Sequence, residues 1–171
     1  DPFWERAAAL DAPVYVHPAD PVAALPVLAG YNVLVRPMWG WGVETGSHAL
    51  RIISGGVFHR YPKAKLLLGH LGETLPFLLW RFDSRSKPYG WNLPKPPSQY
   101  IKENVWVTIS GMYDGPPLHC SIGALGRDHV MFSADYPFDA EGAGPFMDTV
   151  QLDESVRADV AYNNAAKLFR L

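Results

Sequence analysis

Short apolar runs, each followed by a polar residue, recur along the chain and predict the strands of a parallel sheet. The clearest run is at residues 65–68, where Leu66, Leu67 and Leu68 follow one another without polar alternation. Such a run is typical of a buried parallel strand, because helices cover this kind of sheet and no polar face is needed. Three similar runs predict further strands, at residues 14–16, 105–109 and 130–132.

Apolar residues at helical spacing predict helices between these strands. Leu75, Leu78, Leu79 and Phe82 recur so that they share one face of a helix over residues 73–84. The same kind of pattern, with capping residues and terminal glycines, predicts four more helices. They cover residues 4–10, 42–53, 118–125 and 154–169.

Two proline-rich stretches, residues 19–37 and 87–98, are predicted to be long surface loops, and the length of the first favours a functional loop. The remaining chain alternates strand and helix in four units, which predicts an α/β fold with parallel strands and right-handed crossovers. An eight-stranded β/α barrel has twice as many units and typically about 250 residues. With 171 residues, the chain is either an open sheet or the carboxyl-terminal half of a (β/α)8 TIM barrel. In the second case residues 1–171 form a single partial domain.

Composition narrows the class of protein. Apolar residues make up 48% of the chain, enough for a sizeable core, and the net charge of −2 comes from interspersed acids and bases. Without a run of Lys and Arg we expect no nucleic-acid partner and no membrane contact. Cys120 is the single cysteine, which favours a reducing, cytoplasmic location. No apolar run reaches the length of a bilayer span, and the start lacks Met, so we expect the chain to begin inside a longer protein.

Polar residues follow the predicted strands at the same relative position. His17, His70, Ser110 and Asp135 each come just after a strand, and in a parallel sheet these positions meet at one edge. Imidazole nitrogen and carboxylate oxygen suit a divalent first-row metal with positions left open for water or substrate. Each of these residues could instead cap its strand or turn through the backbone. The joint pattern favours a site built from His17, His70 and Asp135.

Four other residues are candidates for supporting roles. Glu73 could hold His70 in one tautomer, or it could be a first-turn acid that the helix dipole favours. Arg81, two helical turns further on, could bind an acidic or phenolic substrate or pair with a nearby carboxylate. Trp39 and Trp41 could form the wall of an aromatic-substrate site or pack the loop over the core. The sequence contains no glycine-rich phosphate loop, nucleophile elbow or Cys-x-x-Cys pair that would favour another chemistry.

Three motifs resemble those of the amidohydrolase-2 family. They are His17-Pro18, GHLGE at residues 69–73 and SADYP at residues 133–137. The likeness continues through DPFW at the start, ETGSHALRIISGGVFHRYP, LPFLLWRFDSR and NNAAKLFRL at the end, so it covers nearly the whole chain. Within the family, the chain is most similar to metal-dependent decarboxylases of 2,6-dihydroxybenzoate (γ-resorcylate) and 2,3-dihydroxybenzoate.

The resemblance implies a (β/α)8 barrel that binds a divalent metal, most often zinc, with manganese and magnesium as alternatives. It also implies a homo-oligomer, a dimer or tetramer, and a small aromatic carboxylic acid as substrate. In the family the first strand of the barrel supplies two further metal ligands, typically a Glu or His together with a His. These ligands have no counterpart in this sequence, so the missing amino-terminal half of the barrel is an expected partner of the chain.

The resemblance also implies roles for individual residues. His17 and Asp135 correspond to ligands of the catalytic metal, and His70, supported by Glu73, corresponds to an acid/base group. Arg81 matches a residue at the substrate site, and Trp41 matches an aromatic residue that packs on the substrate ring.

The predicted function is non-oxidative decarboxylation of a hydroxybenzoate-type acid by a metal-dependent carboxy-lyase. The ring carbon that bears the carboxylate must be protonated before carbon dioxide leaves, and Asp135 is the candidate donor, with His70 and Glu73 relaying the proton. One alternative is a hydrolase of the same barrel type, such as a lactonase, in which Asp135 would act as a base. Another is a non-catalytic half barrel that only supports assembly.

Overall fold

The sheet of this protein consists of parallel strands arranged in their order along the chain. The structure is a computed structural model that describes residues 1–21 and 25–171. In this part of the chain the strand order is β1-β2-β3-β4, so each crossover leads to the adjacent strand, as in a β/α barrel. The strands are β1 (Pro13–Val16), β2 (Lys65–Leu68), β3 (Val105–Thr108) and β4 (Val130–Met131).

Helices connect the strands and pack against the sheet. They are α1 (Pro2–Ala9), α2 (Gly40–Ser54), α3 (Val57–Arg60), the single turn α4 (His70–Glu73), α5 (Leu75–Ser86), α6 (Pro97–Asn104), α7 (Gly115–Leu125), α8 (Ala143–Thr149), α9 (Glu154–Ala158) and α10 (Asn164–Phe169). A π-helical turn, Asp159–Asn163, joins the last two. Within the described residues, no helix is both long enough and apolar enough to cross a membrane.

The core lies on both faces of the sheet because side chains alternate along each strand. On the helix-covered face, Leu66 and Leu68 of β2 join the large buried cluster. On the other face, Leu67 packs with Met131 of β4 and with Leu168 of α10. The carboxyl-terminal helix therefore covers part of the face that would line a barrel interior. The two outer strands of the sheet, β1 and β4, each have one edge without a strand partner in the described part of the chain.

The predicted elements agree with the structure for the strands and for most helices. The prediction of a helix from residue 73 is wrong, because residues 70–74 form a left-handed turn and α5 begins at Leu75. The predicted helix over residues 154–169 is interrupted by the π-helical turn, where the Val160 carbonyl accepts a hydrogen bond from the Phe132 N–H at 2.6 Å.

Three short helices lie where no helix is predicted from the sequence. They are α3, α6 and α8. α6 starts at Pro97 inside the stretch predicted as a loop, since proline favours both a loop and the first turn of a helix. The predicted loop over residues 19–37 contains the 3-10 turns Pro26–Leu28 and Asn32–Leu34, and its residues 22–24 lie outside the described residues.

Candidate active site

A cavity of about 430 Å³ opens at the carboxyl ends of the strands, which is within the size range of small-molecule sites. Six of the seven predicted site residues line it: His17, Trp39, Trp41, His70, Glu73 and Asp135. The polar residues are brought together because parallel strands all end at this edge. The tryptophans come from the loop between β1 and α2 and from the start of α2.

His17 follows β1 and presents one ring nitrogen for coordination. Its Nδ1 lies 2.8 Å from the carbonyl oxygen of Pro18. A carbonyl can only accept, so Nδ1 carries the proton, and in the neutral ring Nε2 carries the lone pair. Histidine metal ligands are typically held in this way, by a backbone carbonyl at the other nitrogen.

His70 and Glu73 belong to a left-handed turn that follows β2. Five consecutive residues have positive φ: His70 (50°), Leu71 (52°), Gly72 (84°), Glu73 (52°) and Thr74 (67°). For a residue other than glycine this conformation costs about 1–2 kcal/mol, so the turn persists only because its surroundings hold it. Backbone strain of this kind is concentrated at functional sites.

Contacts with the core hold the left-handed turn in place. Leu71 is buried, and its carbonyl accepts a hydrogen bond from the buried hydroxyl of Ser121 on α7 at 3.2 Å. At Gly72, a β-carbon would lie 2.9 Å from a side-chain methyl of β3. On the other side α2 approaches so closely that a β-carbon at Gly46 would lie 3.3 Å from the Glu73 carbonyl oxygen. The turn is thus fixed from three directions.

The turn places the His70 and Glu73 side chains together. His70 Nδ1 donates to Glu73 Oε1 at 2.6 Å, and Glu73 is buried with 7% of its surface exposed. The hydrogen bond that His70 donates to Glu73 raises the pKa of His70, burial of the ring opposes this, and the charges of Glu73 and Asp135 add to the increase. His70 is therefore held with a proton on Nδ1, and its charged form is more stable here than in a free histidine.

Asp135, which follows β4, faces the same point as His70. A β-carbon at Gly111 would lie 3.4 Å from both His70 Nε2 and Asp135 Oδ2 and 2.9 Å from His70 Cδ2. Gly111 also has φ +63°, so a glycine is needed here for conformation and for space. The two polar atoms border one small region of the cavity, and no hydrogen bond joins them in the described part of the chain, so a proton would pass between them through a bridging water.

Asp20 orients the Trp41 side of the cavity, a contact that the sequence does not predict. Its Oδ1 accepts from Trp41 Nε1 at 2.8 Å, and its Oδ2 accepts from Arg36 Nη2 at 3.0 Å. These two bonds, that of Trp41 first, lower the pKa of Asp20. Because its N–H is engaged, the Trp41 indole offers ring surface to the cavity, and it meets the His17 ring edge to face at 6.5 Å.

Arg81 is the predicted site residue that does not line the cavity. It lies on the exposed side of α5. Of the carboxylates with which it could pair, Asp83 instead accepts two hydrogen bonds from Ser98, and Glu73 binds His70. A role of Arg81 in substrate binding stays a prediction.

Several cavity residues carry no signal in the sequence. The apolar walls include Met38, Met112 and Phe138, which come from three different loops. Nothing in their local sequence separates them from other exposed apolar residues, so only the fold could reveal them.

His17 and Asp135 alone do not make a metal site. Among residues 1–21 and 25–171, no group of three or more His, Cys, Asp and Glu side chains is arranged to hold a metal ion. The donors that are present, an imidazole with a free lone pair and a carboxylate, fit a divalent first-row metal. Two protein ligands would leave such a site incomplete, so a metal bound here would need further ligands from elsewhere.

Comparisons with known proteins match the whole chain. The amidohydrolase (Amidohydro_2) family model covers residues 1–171. The γ-resorcylate decarboxylase of Polaromonas sp. (strain JS666) is 37% identical, with 99% of this chain and 54% of that protein aligned. The enzyme of the same name from Rhodococcus jostii is 35% identical at the same coverage. The chain spans about half the length of the curated relatives it matches.

Solved structures give the same result. The crystal structure of 5-carboxyvanillate decarboxylase from Sphingomonas paucimobilis has a TM-score of 0.91 and 35% identity, covering 99% of this chain and 52% of that one. A Polaromonas dihydroxybenzoic acid decarboxylase with bound manganese and the inhibitor 2-nitroresorcinol has a TM-score of 0.89 and 37% identity, covering 99% and 53%. The interpretation as the carboxyl-terminal half of a (β/α)8 barrel, rather than a complete open sheet, is confirmed.

Proposed function

We propose that this chain, which belongs to the amidohydrolase family, forms the acid/base half of the active site of a non-oxidative decarboxylase. The substrate is a hydroxybenzoate-type aromatic acid, and the enzyme is a metal-dependent carboxy-lyase. The observation that carries this proposal is the convergence of His70 Nε2 and Asp135 Oδ2 on one point of a cavity with aromatic walls. Relatives at 37% and 35% identity are decarboxylases of such an acid, which supports the proposal.

The cavity walls suit the ring of such a substrate. Trp41, with its N–H engaged by Asp20, offers ring surface, and Phe138 and Met38 add apolar area. The polar groups lie on the other side, at the strand ends. An aromatic acid would therefore bind with its ring between the apolar walls and its carboxylate towards His17 and Asp135.

We propose that His17 Nε2 and the Asp135 carboxylate contribute two ligands to a divalent metal. The other ligands would come from residues outside this chain, in the half of the barrel that completes the sheet. When bound, the metal withdraws negative charge from the substrate carboxylate and its ortho hydroxyl and fixes the ring. A relative's structure contains manganese, and zinc, which the family resemblance favours, is an equally suitable ion for this donor set.

The residues of this chain then move one proton. His70, whose charged form is stabilised by Glu73, would pass the proton on its Nε2 through a bridging water to the Asp135 carboxylate, and Asp135 would deliver it to the ring carbon that bears the substrate carboxylate. This carbon becomes tetrahedral. The bond to the carboxylate then breaks, its electron pair restores the aromatic ring, and carbon dioxide leaves with the phenol as the second product.

Product analysis tests the proposal and separates it from the hydrolase alternative. The metal-loaded protein is incubated with 2,6-dihydroxybenzoate and, separately, with an aromatic lactone. Release of carbon dioxide and resorcinol in equal amounts is expected, with no opening of the lactone. Opening of the lactone without decarboxylation would show that the site is hydrolytic, and loss of neither substrate would support a non-catalytic role.

The exposed face of α5 supports a homo-oligomer, a dimer or tetramer. Phe77 and Trp80 are 78% and 74% exposed on this helix. α5 lies in the outer layer, so strands added at β1 or β4 would extend the sheet without covering this face. We propose that a second copy packs here and that Arg81, on the same helix, contacts substrate across this interface. Sedimentation velocity on Trp80→Glu tests this, since monomers are expected and an unchanged assembly would contradict the interface.

A further inference from the structure

The Tyr113 hydroxyl joins the loop after β3 to the loop that carries Asp135. It accepts a hydrogen bond from the Asp135 backbone N–H at 3.2 Å and donates one to the Asp139 carbonyl at 2.6 Å. These two backbone groups lie at the two ends of the loop over residues 135–139. One side chain therefore holds both ends of the segment that presents the catalytic carboxylate.

The loop itself is a tight turn with little else to fix its position. The Asp135 carbonyl accepts from the N–H groups of Phe138 (2.6 Å) and Asp139 (2.9 Å), which closes the turn internally. The side chains at its tip, Tyr136 and Phe138, are 81% and 80% exposed and pack little. Internal bonds keep the shape of the turn, but they do not fix where the turn lies relative to His70.

The Tyr113 ring is itself firmly placed. It packs beside Phe146 of α8, with ring centroids 6.2 Å apart, and it belongs to the margin of the main core. At Gly142, just before α8, a β-carbon would lie 2.7 Å from the Tyr113 ring, so a glycine is needed for the ring to occupy this position. The hydroxyl is thus carried by a ring that the core and α8 hold.

We propose that Tyr113 is a positioning residue that sets the distance of the Asp135 carboxylate from His70 Nε2 and from the metal. It acts through the backbone of the loop and does not touch the substrate. This role rests on the proposed function, because it matters only if Asp135 reacts. The placement of the loop, however, can be measured without any assay of activity.

The test compares Tyr113→Phe with Tyr136→Phe in the metal-loaded protein. The first variant removes the hydroxyl and keeps the ring, so the protein should fold normally. The second removes a hydroxyl next to Asp135 that makes no hydrogen bond with the described residues and serves as the matched control. Gly142→Ala is a third variant, in which the added β-carbon should displace the Tyr113 ring.

For Tyr113→Phe we expect kcat to fall about tenfold with KM nearly unchanged, because small displacements of a reacting group reduce the rate more than binding. Hydrogen–deuterium exchange over residues 134–139 should accelerate, and the manganese dissociation constant measured by titration should increase severalfold. Gly142→Ala should change all three quantities in the same direction. Tyr136→Phe should change none of them.

Two results would overturn the inference. If exchange over residues 134–139 is the same in Tyr113→Phe and in the unaltered protein, the hydroxyl does not hold the loop. If exchange accelerates while kcat and the manganese dissociation constant stay unchanged, the position of Asp135 does not depend on the loop. A protein without decarboxylase activity would refute the proposed function alone, since exchange and metal affinity would still decide the role of Tyr113.

Discussion

The two loops that present the proposed acid/base residues are held in opposite ways. The turn after β2, which carries His70 and Glu73, is left-handed, buried and fixed by core contacts around Leu71 and Gly72. The loop after β4, which carries Asp135, is exposed and tied down by a hydroxyl outside it. In the first, the geometry of the site and the stability of the fold depend on the same contacts. In the second they are separable, so substitutions should affect the two loops differently.

The largest effect is expected for Asp135→Asn. Removal of the proposed proton donor should reduce the rate of carbon dioxide release by about 10²–10⁴-fold, the contribution typical of an acid/base group. Because the loop is exposed, the midpoint of urea unfolding should hardly move. Asp139→Asn is the control, since the loop uses the carbonyl of Asp139 in its bond with Tyr113. Substantial turnover by Asp135→Asn would show that another group protonates the ring.

Gly72→Ala tests the other loop and should change stability as well as activity. A β-carbon there would meet a methyl of Val107 at 2.9 Å, and φ is +84°. Overpacking and left-handed strain together should lower the free energy of unfolding by about 2–4 kcal/mol. Gly123→Ala on α7 is the matched control, because its β-carbon would meet nothing within 4 Å, and it should be neutral or stabilising. Equal urea midpoints for the two variants would show that the turn is not constrained as described.

The pH dependence of stability should reveal the interaction between His70 and Glu73 in the buried turn. The pKa of His70 is raised above its usual value of 6.5, chiefly by the hydrogen bond that the ring donates to Glu73. Its contribution to stability is therefore fully present below pH 6.5 and is lost as the pH rises through the raised pKa. In chelator-treated protein, the free energy of unfolding should fall over this range. Glu73→Gln should flatten this pH dependence, and an unchanged slope in that variant would contradict the pairing.

The sequence is a better guide to the location of the site, at one edge of the sheet, than to its geometry. Parallel strands bring the residues that follow them to one edge whatever the details of packing, so His17, His70 and Asp135 could be placed there from the pattern alone. The left-handed turn could not be predicted, because Glu73 also fits the first turn of the helix that follows. For the same reason Arg81 and Glu73 do not share a helix face, since α5 starts only at Leu75.

Contacts between distant loops also escape prediction from the sequence. Tyr113 lies 22 residues from Asp135, and Asp20 lies 21 residues from Trp41. No periodicity links such positions, and a tyrosine or an aspartate in a loop is ordinary. Only the fold brings each pair within hydrogen-bond distance.

The smallest effect on activity is expected for substitutions of Asp20, which orients Trp41. Two variants distinguish the contribution of its partner Trp41 from that of its partner Arg36. Asp20→Asn keeps an oxygen that can accept from Trp41 Nε1 and loses the ion pair with Arg36, whereas Asp20→Ala loses both. If the orientation of Trp41 matters for binding the substrate ring, Asp20→Ala should raise KM about two- to tenfold with kcat unchanged. Asp20→Asn should stay near the original KM, because an exposed ion pair contributes little. An unchanged KM in Asp20→Ala would mean that packing holds the indole, as core contacts hold the buried turn.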